Sequence, residues 1–549
     1  MTNALISISF IRKGAVMKNL SIFAALVLCF SLKPLFATEY LVRVDNLKDK
    51  NFCIIELIDD HALIIANETA ISKLEQDNIS YVILDDNPRE KYYQIVYLMD
   101  EDVTTVAQYG DILDQYDDCL LLRTTEDKVF NLNKLRVELR RLTFDPVRFL
   151  DEDLFPLQIK SFAPDTLIQK MVDAVSQDSI QASIFRLQRM YTRYTTTDSN
   201  KIVAVNWIRN RLLSYGYDSV YFQYFNNNYG PNVVAIKKGF LYPSIKRYCL
   251  IGGHMDDVPS SGYAPGADDN ASGTTAMLEA ARVMKDYLFE NTIYFVAFNA
   301  EELGLYGSDS FATRAWRNND TIFGVINFDM IGYVTPANPN RDSMNAHYTT
   351  AVPGCSLFVC QFFQAVADTY TQLKIRKVRN TGTSGSSDHA SFWKRGYKAM
   401  LGIERVLTPA YHTVGDTIGP HLYTNCGINH LPFATQVIKT GVAVLAKLAV
   451  PVHSGVVVEE NRREEHRGLS ILPTIGSKFV IHIPASNELK ISIEIYNVLG
   501  RVVRNLSVLD NTAIWDGVDD KGNLLPAGIY FVTAKSENRA LVKRIIYIR

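Results

Sequence analysis

The chain has 549 residues, a formal net charge of −2 and a pI near 6.6. Hydrophobic residues make up 47% and charged residues 21%, so several folded domains are expected and long disorder is excluded. Because no excess of positive charge is present, neither nucleic acid nor an anionic membrane is expected as a partner.

Residues 1–37 are predicted to be a cleaved export signal, with Met17 as an alternative start. Lys18 precedes the apolar run 20–32, and Ala37 is a small residue where cleavage is expected. That run is shorter than the roughly 20 residues of a spanning helix, so no stable membrane span is expected. An N-terminal membrane anchor is the alternative.

Residues 38–165 are predicted to form an N-terminal α+β domain. Short strands are expected at 40–44, 81–84 and 93–97, and a basic helix at 131–142. No catalytic constellation is visible there. The domain is either a prosegment that assists folding or covers a site, or a permanent structural domain.

Residues 166–450 alternate strands with helices, which is typical of a three-layer α/β domain with a mostly parallel central sheet. The predicted strands are 233–236, 248–252, 292–298, 324–328 and 398–402. The predicted helices are 271–287, 357–370 and 431–448.

The last part of the chain changes character again. The charged run within 451–468 predicts a linker. Residues 469–549 show alternating strands at 479–483, 491–496, 528–531 and 545–548, as in an Ig-like β-sandwich.

Acidic and imidazole side chains cluster at predicted strand ends of the α/β domain. In an open α/β sheet these ends converge on one crevice, so groups distant in sequence can meet there. They are His254, Asp256, Asp269, Glu301, Glu302, Asp329 and His412. A set of imidazoles and carboxylates without thiolates favours borderline divalent ions, of which zinc is the first candidate, and it is large enough to hold two ions. Two such ions need a carboxylate that bridges them.

These segments strongly resemble the co-catalytic two-zinc aminopeptidase family, which contains bacterial leucyl aminopeptidases, aminopeptidase Y and the glutamate carboxypeptidases. The matching motifs, in the family's order, are Gly253-His-Met-Asp256, Pro265-Gly-Ala-Asp-Asp-Asn-Ala-Ser-Gly273, Ala300-Glu-Glu-Leu-Gly-Leu-Tyr-Gly-Ser308, Asn327-Phe-Asp-Met330, Ser387-Asp-His-Ala-Ser391 and His412-Thr-Val-Gly-Asp416.

The resemblance implies two Zn²⁺ ions. Asp269 would bridge them, with Glu302 and His412 completing one site. His254 and Asp329 would complete the other.

Two further carboxylates are expected to act in catalysis. Glu301 would be the general base that takes a proton from a metal-bridging water and delivers it to the leaving amine. Asp256 resembles the carboxylate that accepts the remaining ring N–H of His254. The expected substrates are the N-termini of peptides or proteins.

The substrate pocket departs from the family. Secreted members often carry a cysteine pair and a substrate-facing Tyr before the Ser387-Asp-His389 motif, whereas this chain has Thr381-Gly-Thr-Ser-Gly-Ser386. Tyr411 and Asp388 are the candidate substrate-binding residues.

The C-terminal unit resembles the Ig-like sorting domains of type IX secretion. The motifs are Trp515-Asp-Gly-Val-Asp-Asp-Lys-Gly522 and Leu525-Pro-Ala-Gly-Ile-Tyr-Phe531. The resemblance implies contact with export machinery and a secreted or cell-surface location. A passive binding sandwich is the alternative.

The sequence therefore favours an exported zinc aminopeptidase. A glutaminyl cyclase or a carboxypeptidase on the same scaffold is the second enzyme hypothesis. A surface adhesin with an inert peptidase fold is the non-enzyme hypothesis.

Overall fold

The computed structural model describes residues 38–47, 51–117, 119–149, 163–240, 242–259, 262–337, 343–351, 357–452, 470–472, 475–483, 492–498, 500–508, 512–535 and 540–547. The predicted signal 1–37 lies outside these residues, as does nearly all of the predicted linker 451–468. The chain divides into two compact units, Met1–Pro451 and Val452–Arg549.

The first unit begins with two four-stranded antiparallel sheets. The first has the order β2-β3-β1-β4 and the second the order β6-β7-β5-β8. Their strands are β1 (Tyr40–Asp45), β2 (Cys53–Ile58), β3 (His61–Ala66), β4 (Tyr81–Asp86), β5 (Tyr92–Leu98), β6 (Asp111–Gln115), β7 (Cys119–Thr124) and β8 (Val137–Arg141). Helices α1 (Glu68–Gln76), α2 (Val103–Val106) and α3 (Glu126–Leu132) connect them.

The predicted helix at 131–142 is wrong. Helix α3 ends at Leu132, and after a turn Val137–Arg141 form the edge strand β8. Val137 and Leu139 are both buried in one hydrophobic cluster, with Glu138 between them. Burial of alternate side chains, which is the pattern of a strand, determines the structure of this segment, and its charge does not.

The second sheet is buried on both faces. Ile95 packs with the first sheet, whereas Val96 packs with Leu303 and Tyr306 from the α/β domain. The N-terminal sheets and the α/β domain therefore share a hydrophobic core.

The α/β domain is built on an eight-stranded sheet with the order β15-β14-β16-β13-β11-β12-β10-β9. Its strands are β9 (Ser219–Gln223), β10 (Asn232–Lys237), β11 (Arg247–His254), β12 (Thr292–Phe298), β13 (Thr321–Phe328), β14 (Ser343–Thr349), β15 (Lys374–Asn380) and β16 (Ala399–Glu404). Four strand pairings are parallel and three are antiparallel, so the sheet is mixed. The parallel block β12-β11-β13-β16 lies at its centre.

Helices cover both faces of this sheet. Ile251 and Phe295 belong to one hydrophobic cluster, whereas Leu250 and Val296 belong to another, as alternation along a strand requires. The helices are α4 (Thr166–Asp173), α5 (Gln177–Gln188), α6 (Val205–Ser214), α7 (Gly273–Met284), α8 (Tyr306–Arg317), α9 (Leu357–Tyr370), α10 (His389–Lys394) and α11 (Leu431–Ala449). Helix α11 is long and apolar enough to cross a membrane, but 72% of its apolar stretch is buried inside the protein.

The second unit contains two β-sheets. They have the orders β17-β19-β22 and β18-β24-β23-β20-β21 and enclose a core around Trp515. The strands are β17 (Ser470–Leu472), β18 (Ile475–Gly476), β19 (Phe479–His482), β20 (Ser492–Asn497), β21 (Val502–Leu506), β22 (Thr512–Trp515), β23 (Gly528–Lys535) and β24 (Ala540–Tyr547).

Gly273 allows the start of helix α7 to lie against strand β13. A Cβ atom built at this position would lie 2.1 Å from the backbone oxygen of Phe328, a distance that no real side chain tolerates. The close approach matters because the turn immediately before α7 carries Asp269.

We expect Gly273→Ala to lower the free energy of unfolding by about 3 kcal/mol, because backbone must shift to admit the methyl group. Gly324→Ala is the matched control, since its nearest atom is the side-chain end of Leu448 at 3.1 Å. Denaturant unfolding measures both variants. Equal stabilities would contradict the backbone clash.

Candidate metal centre

Three elements of the parallel block deliver side chains to one end of the sheet. His254 is the last residue of β11, Asp329 directly follows β13, and Glu301 and Glu302 follow β12. Parallel strands end at the same edge, which explains why these side chains meet. The turn before α7 brings Asp269, and the loop after β16 brings His412.

Asp269 lies between the two imidazoles. Its Oδ1 is 3.3 Å from His254 Nε2, and its Oδ2 is 3.3 Å from His412 Nε2. Each ring has one further carboxylate beside the same nitrogen. His254 Nε2 is 3.2 Å from Asp329 Oδ1, and His412 Nε2 is 3.2 Å from Glu302 Oε2.

The turn that carries Asp269 is fixed by Asp416. The two carboxylate oxygens of Asp416 accept the backbone N–H groups of Asp268 and Asp269, at 2.9 and 3.0 Å. Asp416 is itself buried. Asp416 is the last residue of the motif that begins at His412, but the motif alone does not indicate a role for it.

Asp256 holds the turn of the two glutamates. Its Oδ1 accepts the backbone N–H of Glu301 at 3.2 Å, and its Oδ2 accepts that of Glu302 at 3.3 Å. The hydrogen-bond partner of His254 Nδ1 is the Asp256 backbone oxygen at 3.2 Å, and the Asp256 Oδ1 lies slightly farther away at 3.6 Å. Asp256 therefore contacts both the imidazole and the backbone of the glutamate pair.

The other site residues are positioned by neighbours outside the cluster. Ser387 donates its hydroxyl to Asp329 Oδ2 at 2.7 Å. The ring of Tyr411 stacks on His412 with centroids 3.8 Å apart. Asp388 is completely buried at the start of α10, and burial raises its pKa to about 7.

The cluster holds an excess of buried negative charge. Burial disfavours charged imidazoles, but the surrounding carboxylates outweigh it and raise the pKa of His254 and of His412 well above the usual value. Burial, followed by the charge of Asp269, raises the pKa of Glu302 to about 8. Burial also raises the pKa of Glu301 well above its usual range.

This arrangement fits bound divalent cations. Glu301 Oε1 and Glu302 Oε1 are buried, and neither has a hydrogen-bond partner among the described residues. Two groups bring their ligand atoms within 4.8 Å of one another: His254, Glu301 and Asp329, and His254, Asp269 and Glu302. Imidazole nitrogens with carboxylate oxygens are a donor set that zinc accepts.

The sequence of the same region matches a known family. Residues 232–427 match the model of Peptidase family M28, and they include every residue of the cluster described above. This part of the chain is therefore similar to M28 peptidases and is called the M28 domain.

Relatives of the M28 domain are aminopeptidases. "Leucine aminopeptidase 1" of Trichophyton equinum is 27% identical over 272 residues, which cover 46% of this chain and 70% of that protein. "Aminopeptidase YwaD" of Bacillus subtilis is 31% identical over 207 residues, covering 35% of this chain and 41% of that protein. The solved LapA aminopeptidase of Legionella pneumophila is 21% identical with a TM-score of 0.51, covers 66% of this chain and 99% of its own, and shows the same fold.

The C-terminal unit also matches a family. Residues 476–549 match the model of a secretion system C-terminal sorting domain. The sorting domain marks the chain for export, so the M28 domain is secreted or carried at the cell surface.

We expect Asp416→Asn to weaken zinc binding to the M28 domain by about 10- to 100-fold. The amide keeps the size of the side chain but can accept only one of the two backbone N–H groups that fix Asp269. Calorimetric titration of zinc into the apo protein measures the effect. Asp178→Asn, at an exposed position of α5, is the control, and equal affinities of the two variants would refute the positioning role.

Proposed function

We propose that this protein is an exported aminopeptidase that holds two zinc ions and removes residues from the N-termini of peptides. The observation that carries the proposal is the position of Asp269, whose two oxygens each face a different imidazole. A carboxylate placed in this way is suited to bridging two cations. The aminopeptidase relatives support the same activity.

Five side chains would hold the metals. Asp269 would be shared, His254 and Asp329 would bind one ion, and Glu302 and His412 would bind the other. The distances of 3.2 to 3.3 Å between these nitrogens and oxygens support this division. Zinc bound there would supply positive charge that polarises the scissile carbonyl group and lowers the pKa of a water molecule.

Glu301 would be the residue that moves protons. Its Oε1 is buried without a hydrogen-bond partner among the described residues, and its Oε2 lies 4.0 Å from His254 Nε2. Asp256 and the turn fix its backbone. Glu301 would accept a proton from the attacking water and donate it to the amine that leaves.

The buried surroundings help this proton transfer. Glu301 is 2% exposed, so bulk water does not compete for its carboxyl group. Burial raises the pKa of the Glu301 carboxyl group, which makes its carboxylate a stronger proton acceptor.

Three other hypotheses differ in the substrates that they predict. A glutaminyl cyclase would act on peptides with N-terminal Gln, and a carboxypeptidase would require a free C-terminus. An adhesin with an inert peptidase fold would hydrolyse none of them. The named relatives favour the aminopeptidase, and a panel of aminoacyl anilides beside N-terminal-Gln peptides distinguishes it from the cyclase.

Export is assigned to the C-terminal unit. The two sheets around Trp515 are consistent with an Ig-like sandwich, which we propose as its fold. Export machinery that recognises this unit would be the protein partner of the chain.

We expect Glu301→Gln to lower kcat on a leucyl anilide by at least about 100-fold, because the amide cannot accept the proton of the attacking water. Zinc content and the unfolding temperature should stay at the wild-type values, since the side-chain volume is retained. Steady-state kinetics with metal analysis measures both.

Glu290→Gln is the matched control for the loss of a carboxylate. Glu290 lies at the N-terminal side of β12, at the end of the strand remote from Glu301. The control should keep wild-type kcat. A Glu301→Gln variant that retained turnover would remove Glu301 from the mechanism.

A further inference from the structure

The N-terminal domain reaches the metal centre through its edge strand β8. Three loops of the M28 domain that surround the metal centre contact this domain. One loop follows β12, one precedes α10 and one carries His412. A hydrogen bond joins each of these loops to the N-terminal domain.

The contact after β12 is extensive. Gln94 donates its side-chain amide to the backbone oxygen of Leu303 at 3.1 Å, and the hydroxyls of Tyr92 and Tyr306 lie 2.8 Å apart. A Cβ atom at Gly304 would lie 2.6 Å from the backbone nitrogen of Arg141. The N-terminal domain therefore packs closely on the turn that holds Glu301 and Glu302.

The loop before α10 is held by the same domain. Arg140 donates to the backbone oxygen of Thr383 at 2.8 Å, and the backbone oxygen of Leu57 accepts the N–H groups of Thr383 and Ser384 at 2.9 and 3.1 Å. This is the segment in which the sequence departs from the two-zinc family. The N-terminal domain supports the loop that borders Ser387.

The third contact involves a ring in the metal centre. His412 Nδ1 lies 3.3 Å from the backbone oxygen of Leu135, just before β8. An Nδ1–H donated to this oxygen leaves Nε2, which faces Asp269 and Glu302, as the nitrogen that would bind a metal.

Glu138 of β8 adds a further carboxylate next to Tyr411. Its Oε1 accepts the hydroxyl of Tyr411 at 2.7 Å, and the Tyr411 ring stacks on His412. After burial, the charges of Asp269 and Asp329 are the main causes that raise the pKa of Glu138 well above its usual value. Glu138 is half-buried, whereas the five candidate ligands are at most 6% exposed.

Glu138 has the chemistry of a receptor for a cation. No lysine or arginine of the described residues forms an ion pair with its carboxylate. A free peptide N-terminus carries an ammonium group, which forms strong hydrogen bonds to carboxylates. An N-acylated peptide has no such charge and would leave the carboxylate without a cationic partner.

We propose that Glu138 binds the α-ammonium group of the substrate, and that the N-terminal domain is a permanent part of the substrate site. The inference rests on the proposed aminopeptidase function. It assigns selection of free N-termini to a residue outside the M28 domain. It also favours the permanent structural domain over a prosegment that is removed.

The test compares two zinc-binding inhibitors on the zinc-loaded full chain. Leucine hydroxamate carries the α-amino group, and 4-methylpentanohydroxamate is the same molecule without it. We expect Glu138→Gln to lose about 10- to 100-fold of affinity for the first, the size expected for a hydrogen bond to a charged group, and less than about 3-fold for the second. Calorimetric titration measures both dissociation constants without turnover.

Three controls define the outcome. Glu68→Gln, at an exposed position of α1 in the same domain, should keep wild-type affinities for both inhibitors. Glu138→Asp keeps the charge and should recover part of the preference for leucine hydroxamate. Zinc content should be unchanged in every variant.

The opposing outcomes are distinct. Equal weakening of both inhibitors would show that Glu138 only supports the fold, and an increase in kcat/KM on leucyl anilide would show that it blocks the site. Either result overturns the inference. Failure of the wild-type protein to hydrolyse any aminoacyl anilide would instead overturn the proposed function, while the inhibitor ratio would still report on Glu138.

Discussion

The metal centre depends on one buried carboxylate being shared by two imidazoles. Asp269 can lie between His254 and His412 only because Asp416 fixes its backbone and Gly273 lets the following helix approach β13. The surrounding carboxylates then accumulate more negative charge than two imidazoles can balance. Bound cations would neutralise this charge, so folding of the parallel block and metal binding are coupled.

Much of the fold and of the centre could be predicted because it depends on side-chain patterns. Strand β12 was predicted with the bounds observed, since six of its seven residues form an uninterrupted apolar run. The candidate ligands follow predicted strands or lie in short motifs, and parallel strand ends meet in space. The metal-binding chemistry of the side chains and the topology of the sheet therefore indicate the same residues.

The missed features have no such pattern. The segment containing β8 is rich in charge, and Val137 and Leu139 alone do not distinguish a strand from a helix. Glu138 consequently belongs to no sequence motif that indicates a role. The backbone oxygen of Leu135, which contacts His412, has no signature in any sequence, because every residue carries a carbonyl group.

That carbonyl has a consequence for biogenesis. It lies 277 residues before the ring it orients, so the two meet only after both domains have formed and docked. During translation, and during any threading of the chain through a membrane, His412 would lack this partner. Orientation of the His412 ring would then be one of the last steps in assembling the metal centre.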